Sequence, residues 1–173
     1  MQTGMGEPDP AALFATAGTL AKSGVIDPLS NLADDRVYLF SGTADQTVLP
    51  AVSAKIPPFY ALAGLPSGSL RFENDVPAGH GFATEDGPVP CATTAPPFVN
   101  DCDLDQAREI LDFLRGPLQP AAATTQAPMA FDQSPYLTDP EPRGMAETGW
   151  VYIPSACRDG APCRVHEIGR AHV

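Results

Sequence analysis

The sequence has little positive charge. Ten Lys and Arg stand against 21 Asp and Glu, a formal net charge of −11. A phosphate-binding surface needs clustered cations, so no nucleic-acid partner is expected. No apolar run approaches the about 20 residues of a membrane-spanning helix, and no membrane partner is expected. The opening MQTGMGEPDP has neither the basic region nor the apolar core of a secretion signal. Cys-x-x-Cys is missing, and no histidine accompanies the cysteines at finger spacing, so neither a metal nor any other cofactor is implied. There are no internal repeats. Gly-x-Ser-x-Gly, the strand-to-helix turn that exposes a nucleophilic serine, occurs nowhere. Ser41, Ser53, Ser67 and Ser155 lack its flanking glycines and read as turn, cap or surface serines.

What is present is a chain of 173 residues, 43% hydrophobic, with 20 prolines and 15 glycines. That length suits one sizeable core, or a large part of one, cut by many turns. The four cysteines fall into two close pairs, Cys91/Cys102 and Cys157/Cys163. Two disulfides in an oxidising compartment are the expected reading; free buried thiols and a zinc site compete with it. Disulfides without a secretion signal fit a chain whose natural start is not Met1.

The stretch from Arg36 to Phe82 organises the rest. Val37 to Phe40 is a short apolar run ending at Ser41-Gly42, the pattern of a buried strand. Asp45 lies in the loop beyond it. Leu49 to Leu65 has roughly helical periodicity, which Pro57-Pro58 must kink or restart. Leu70 to Phe72 is a second strand, and His80 follows between Gly79 and Gly81. An acid and a histidine, each just past a strand in successive β-α units, match the last two members of a Ser…Asp…His triad. The chemistry requires the pair because a carboxylate must orient the imidazole that takes the serine proton. Asp45 also reads as a helix cap. Asp75 and Asp86 are fallback acids, Asp75 more naturally a turn former.

Along the chain, Ala11–Lys22 is expected to be a helix with Leu13, Phe14, Ala17, Leu20 and Ala21 on its packed face and Gly24 near its cap. Residues 85–101 read as irregular. Asp103 is expected to cap a helix ending near Leu114 or Arg115, stopped by Gly116-Pro117, with Ala107, Ile110, Leu111 and Leu114 inward. Pro120 to Pro128 reads as a linker. Gly149 to Cys157 (GWVYIPSAC) is expected to be a strand, with Trp150 and Tyr152 as sheet-face or core residues more than a polymer-binding platform. Arg164-Val165-His166 starts a further strand, and Asp34-Asp35 is a solvated acidic run.

Together FSGTADQTV, NDVPAGHGF, CATTAPPFVNDCD and GWVYIPSACRDGAPCRVH resemble the poly(3-hydroxybutyrate) depolymerase group of serine esterases. The likeness covers roughly Pro8 to His166. It implies that Asp45 and His80 complete a triad whose serine lies upstream of this chain, in a nucleophile elbow. It also implies an order of segments: acid, histidine, final helix, linker, then a strand like GWVYIPSAC that opens an ordinary α/β esterase. That order is the pattern of a circular permutation. The expected fold is α/β: a partial, circularly permuted α/β-hydrolase with a three-layer, mostly parallel sheet.

The expected division is 1–119 as the acid- and histidine-bearing half, 120–148 as the permutation junction, and 149–166 as the opening strands. Residues 167–173 (EIGRAHV) are expected to be a non-native tail. Glu, Gly and Arg do not continue a buried strand, and one back-translation contains the start of a common sequencing adapter.

The function this implies is part of a secreted or periplasmic polyhydroxyalkanoate depolymerase that hydrolyses polyester bonds, with its nucleophile and oxyanion-hole segment outside the chain. Expected substrates are the polyester or short-chain esters; oligomeric state is open. A feruloyl or acetyl-xylan esterase, a non-catalytic polymer-binding remnant and a helper subunit are the alternatives.

Overall fold

The computed structural model describes residues 7–120, 126–136 and 146–167. They fall into two compact units, Met1–Gln119 and Pro120–Val173.

The first unit opens with α1 (Pro10–Lys22). The Asp9 carboxylate accepts hydrogen bonds from the Ala11 and Ala12 amides, and a proline begins the first turn, where its missing N–H costs nothing. Gly24 just beyond the helix has a φ of +74°, the left-handed conformation a glycine adopts without strain. The packed face is narrower than expected. Phe14, Ala17 and Ala21 are partly covered, whereas Leu13 and Leu20 are exposed. Phe14 meets Phe59 edge-on at 5.6 Å, and this contact sets which side of α1 turns inward.

Strand β1 (Val37–Phe40) pairs in parallel with β2 (Leu70–Glu73), Val37 opposite Leu70 and Phe40 opposite Glu73. Between them run α2 (Pro50–Ser53) and α3 (Ile56–Leu62). The prolines restart the helix rather than kink it, because Pro57-Pro58 occupy the first turn of α3.

Residues 85–101, expected to be irregular, instead supply two strands of a small parallel sheet. β3 (Phe82–Thr84) and β4 (Val89–Pro90) flank β5 (Val99–Asp101). Cys91 and Cys102 are bonded across it.

Helix α4 (Gln106–Arg115) follows and ends at Gly116, φ +89°. Its cap is Asp105, whose carboxylate accepts from the Arg108 amide at 2.9 Å. Asp103, the expected cap, lies two residues too early and has a φ of +53°. Helix α4 covers β1 and β2 through one cluster. The Tyr38 hydroxyl donates to Glu109 Oε2 at 3.1 Å, and the Arg71 guanidinium reaches the same oxygen at 3.1 Å. Arg71 also pairs with Glu73, and Arg36 lies 4.6 Å from the centre of the Phe113 ring. Burial, then the hydrogen bond to Glu109, pushes the Tyr38 hydroxyl well above its ordinary pKa.

In the second unit β6 (Met129–Asp132) pairs antiparallel with β7 (Thr148–Val151), and α5 (Ser155–Arg158) follows. The strand expected over 149–157 therefore stops at Val151, and Ser155 to Arg158 turn into a helix. Residues 164–166 form no strand. Cys157 and Cys163 are bonded. Ile168–Val173, most of the expected tail, lie outside the described residues.

Among the described residues the strands thus form three separate small sheets, not one mostly parallel sheet. Each strand is two to four residues long. Every pairing in the first unit is parallel, so that unit is α/β.

Buried apolar side chains are few (Leu65, Ala78, Ala83 and Val89) beside buried polar Ser41, Asp45, Ser53, Asn100 and Gln106. With so thin a core, covalent bracing carries a large share of stability. Replacing Cys91 and Cys102 together by alanine is expected to cost about 3 kcal/mol, from the 11-residue separation they close. Urea denaturation followed by circular dichroism checks it; a shift below about 1 kcal/mol refutes it.

Candidate active site

The loop after β1 and the loop after β2 run side by side. The amides of Ser41, Thr43 and Ala44 donate to the carbonyls of Glu73, Val76 and Ala78 at 2.9, 2.8 and 3.1 Å. Gly42 makes this approach possible. A Cβ on it would sit 2.0 Å from the Ala78 carbonyl oxygen.

This seam brings Asp45 to His80. Asp45 Oδ2 lies 3.0 Å from His80 Nδ1. A carboxylate has no proton to give, so Nδ1–H donates, and in the neutral ring Nε2 carries the lone pair. Nε2 has no hydrogen-bond partner among the described residues. The other oxygen, Oδ1, accepts from the Thr47 and Val48 amides at 2.8 and 2.9 Å. Those bonds close a turn on Asp45 itself. Helix α2 starts later, with Leu49 in the cap position, so Asp45 is not its cap. The carboxylate is held from three directions, its side chain 10% exposed, while the His80 side chain is 30% exposed. One partner is fixed and sheltered; the other opens to solvent. Such a pair can orient an imidazole and leave Nε2 to take a proton.

The fallback acids do not join it. Asp75 and Asp86 are exposed, and His80 pairs with Asp45. His166, expected at a strand start, is exposed outside any strand. Trp150, expected to pack on a sheet face or in the core, is 69% exposed, and Tyr152 is exposed too. Among the described residues strand β7 pairs with β6 alone. Among the described residues no cluster of His, Cys, Asp and Glu could hold a metal ion, and no helix is long and apolar enough to cross a membrane. An apolar cleft of about 370 Å³ beside α3, lined in part by Pro57, Tyr60, Leu65 and Leu70, includes neither Asp45 nor His80.

Sequence reasoning missed the residues that hold the histidine. The His80 amide donates to Thr94 Oγ1 at 2.8 Å, and the Gly79 amide to the Cys91 carbonyl at 2.7 Å. Gly79 and Gly81 are there for space. A Cβ on Gly79 would meet the Thr93 carbonyl at 2.7 Å, and one on Gly81 would meet Asn100 Oδ1 at 2.2 Å. Glycines on both sides of one histidine were the available signal.

Comparison with known proteins identifies the relatives of this arrangement. The chain is 36% identical over 163 residues to a poly(3-hydroxybutyrate) depolymerase of Delftia acidovorans, covering 91% of this chain and 32% of that protein. The chain belongs to the poly(3-hydroxybutyrate) depolymerase group. A polyhydroxybutyrate depolymerase of Talaromyces funiculosus is 27% identical over 165 residues, 91% of this chain and 47% of that one. The crystal structure of the Penicillium funiculosum depolymerase superposes with a TM-score of 0.79 at 24% identity, over 91% of this chain and 49% of that one. A variant depolymerase complexed with an R3HB trimer superposes equally well, over the same shares. The chain therefore spans about a third to a half of the depolymerases it matches. No family model matches it.

Proposed function

We propose that this chain carries the acid and base of a serine-type polyhydroxyalkanoate depolymerase. In this reading the serine that attacks the polyester carbonyl lies on a segment outside these 173 residues, in a circularly permuted α/β-hydrolase. His80 Nε2 takes the serine proton and then returns it to the leaving alcohol. Asp45 holds Nδ1 and offsets the charge that develops on the ring. Backbone N–H groups of the wider enzyme bind the oxyanion. The observation that carries the reading is the 3.0 Å Asp45–His80 contact, with Nε2 left open beside it. The kinship with depolymerases supports the polyester as substrate. The two disulfides support a secreted or periplasmic setting.

Two measurements test it. The 173-residue chain alone is expected to turn over a soluble butyrate ester no faster than buffer; turnover that His80→Ala abolishes would show that the chain supplies its own nucleophile. Extending the reading frame in the source DNA is expected to reveal a Gly-x-Ser-x-Gly elbow upstream and an enzyme that clears poly(3-hydroxybutyrate) suspensions. An extended enzyme that cleaves feruloyl or acetyl-xylan esters and leaves the polymer untouched would move it to a different esterase class.

A further inference from the structure

Asn100 is fully buried, a costly place for an amide unless it has work to do. Its Nδ2 donates to the carbonyls of Cys91 and Thr93, both at 2.8 Å. Those carbonyls settle the orientation of the amide, since the flipped form would set an oxygen against two oxygens. Oδ1 accepts no hydrogen bond and packs against Gly81 instead. The turn that Asn100 cross-links is the one that holds the histidine loop. Cys91 presents its carbonyl to the Gly79 amide, and Thr94 presents its hydroxyl to the His80 amide. Gly79, His80 and Gly81 are thus each touched by one framework, with Asn100 at its centre and Thr94 at its tip. The Cys91–Cys102 bond closes it from outside.

We propose that Asn100 and Thr94 are positioning residues for His80, setting its ring against Asp45 through the backbone of residues 79–81. Neither touches the imidazole. Fixing three consecutive backbone positions leaves the side chain only its own torsions to search, and the Asp45 contact selects among those. The inference rests on the reading of His80 as the base.

The test uses the full 173-residue chain labelled with ¹⁵N. In the unaltered protein, long-range ring correlations are expected to show His80 in the single Nδ1–H form, while exposed His166 interconverts between tautomers. Asn100→Asp keeps the shape but removes both donors. It is expected to give His80 the mixed signature of His166 and to speed amide exchange at Gly79 and His80 by roughly tenfold or more. Thr94→Val removes only the acceptor of the His80 amide. It is expected to speed exchange there by about tenfold while Gly79 stays protected. Folded variants that keep the parental ring signature and exchange rates overturn the positioning role alone. Should Asn100→Asp fail to fold, Thr94→Val decides by the same readouts. A parental His80 ring that already interconverts like His166 overturns the catalytic reading, and the positioning role falls with it.

Discussion

Asp45→Asn is expected to lower turnover of the extended enzyme by about 10⁴-fold with substrate binding largely retained. The reason lies in the two halves of the carboxylate. Oδ1 accepts from the Thr47 and Val48 amides, so an asparagine must place its carbonyl oxygen there. Its NH₂ group then occupies the position of Oδ2, 3.0 Å from Nδ1. An amide donor facing Nδ1 forces the ring proton onto Nε2, where a lone pair is needed. The variant keeps its shape and acquires the wrong tautomer. Steady-state kinetics on a soluble ester, with the ring proton located by nitrogen chemical shifts, checks both halves of the argument. A loss smaller than about tenfold would remove Asp45 from the mechanism.

Gly42→Ala is expected to destabilise the first unit by about 3 kcal/mol or more. Its Cβ would lie 2.0 Å from a backbone carbonyl oxygen, and real Cβ atoms essentially never come within 3.0 Å, so the loops must part by about 1 Å. A carbonyl cannot rotate aside as a flexible side chain can. Parting the loops stretches the Thr43–Val76 and Ala44–Ala78 hydrogen bonds together and carries Asp45 away from His80. Gly68→Ala is the control. Nothing lies within 4 Å of the added methyl, so the change is expected to be neutral to within about 0.5 kcal/mol. Urea denaturation of the two variants side by side makes the comparison; similar midpoints would mean that the seam gives way easily.

The parts of the fold legible in the sequence are those with a repeating signal. β1 and β2 announce themselves as apolar runs between turn residues, and α4 as an amphipathic stretch closed by Gly116. α1 was legible as a helix but not in its facing, because Leu13 and Phe14 are equally apolar and only the Phe59 contact distinguishes them. β3, β4 and β5 are two or three residues long, below the length at which alternation can be seen. β6 hides in a polar, proline-bearing stretch, and its pairing with β7 depends on residues far apart in sequence. Asp45 and His80 were legible because both are chemically distinctive and both follow strands. Asn100 and Thr94 were not. In Phe-Val-Asn-Asp and Ala-Thr-Thr-Ala they read as turn and surface residues, and only the folded chain shows one of them sealed inside.

The seam between the acid and histidine loops is made of main-chain atoms, and this bears on how the pair can change over time. Thr43 and Pro77 point to solvent, while the bonds around them run from amide to carbonyl. The exposed side chains along the seam, those of Thr43, Asn74, Asp75 and Pro77, are therefore free to drift without moving the acid from the base. Gly42, Asp45 and the buried Ser41 and Ala78 are held constant, and the exposed positions can be rewritten around them, to reshape a substrate rim or a surface, with the proton-transfer geometry inherited unaltered. An ancestor with this backbone could diversify its specificity at these positions long before risking its chemistry.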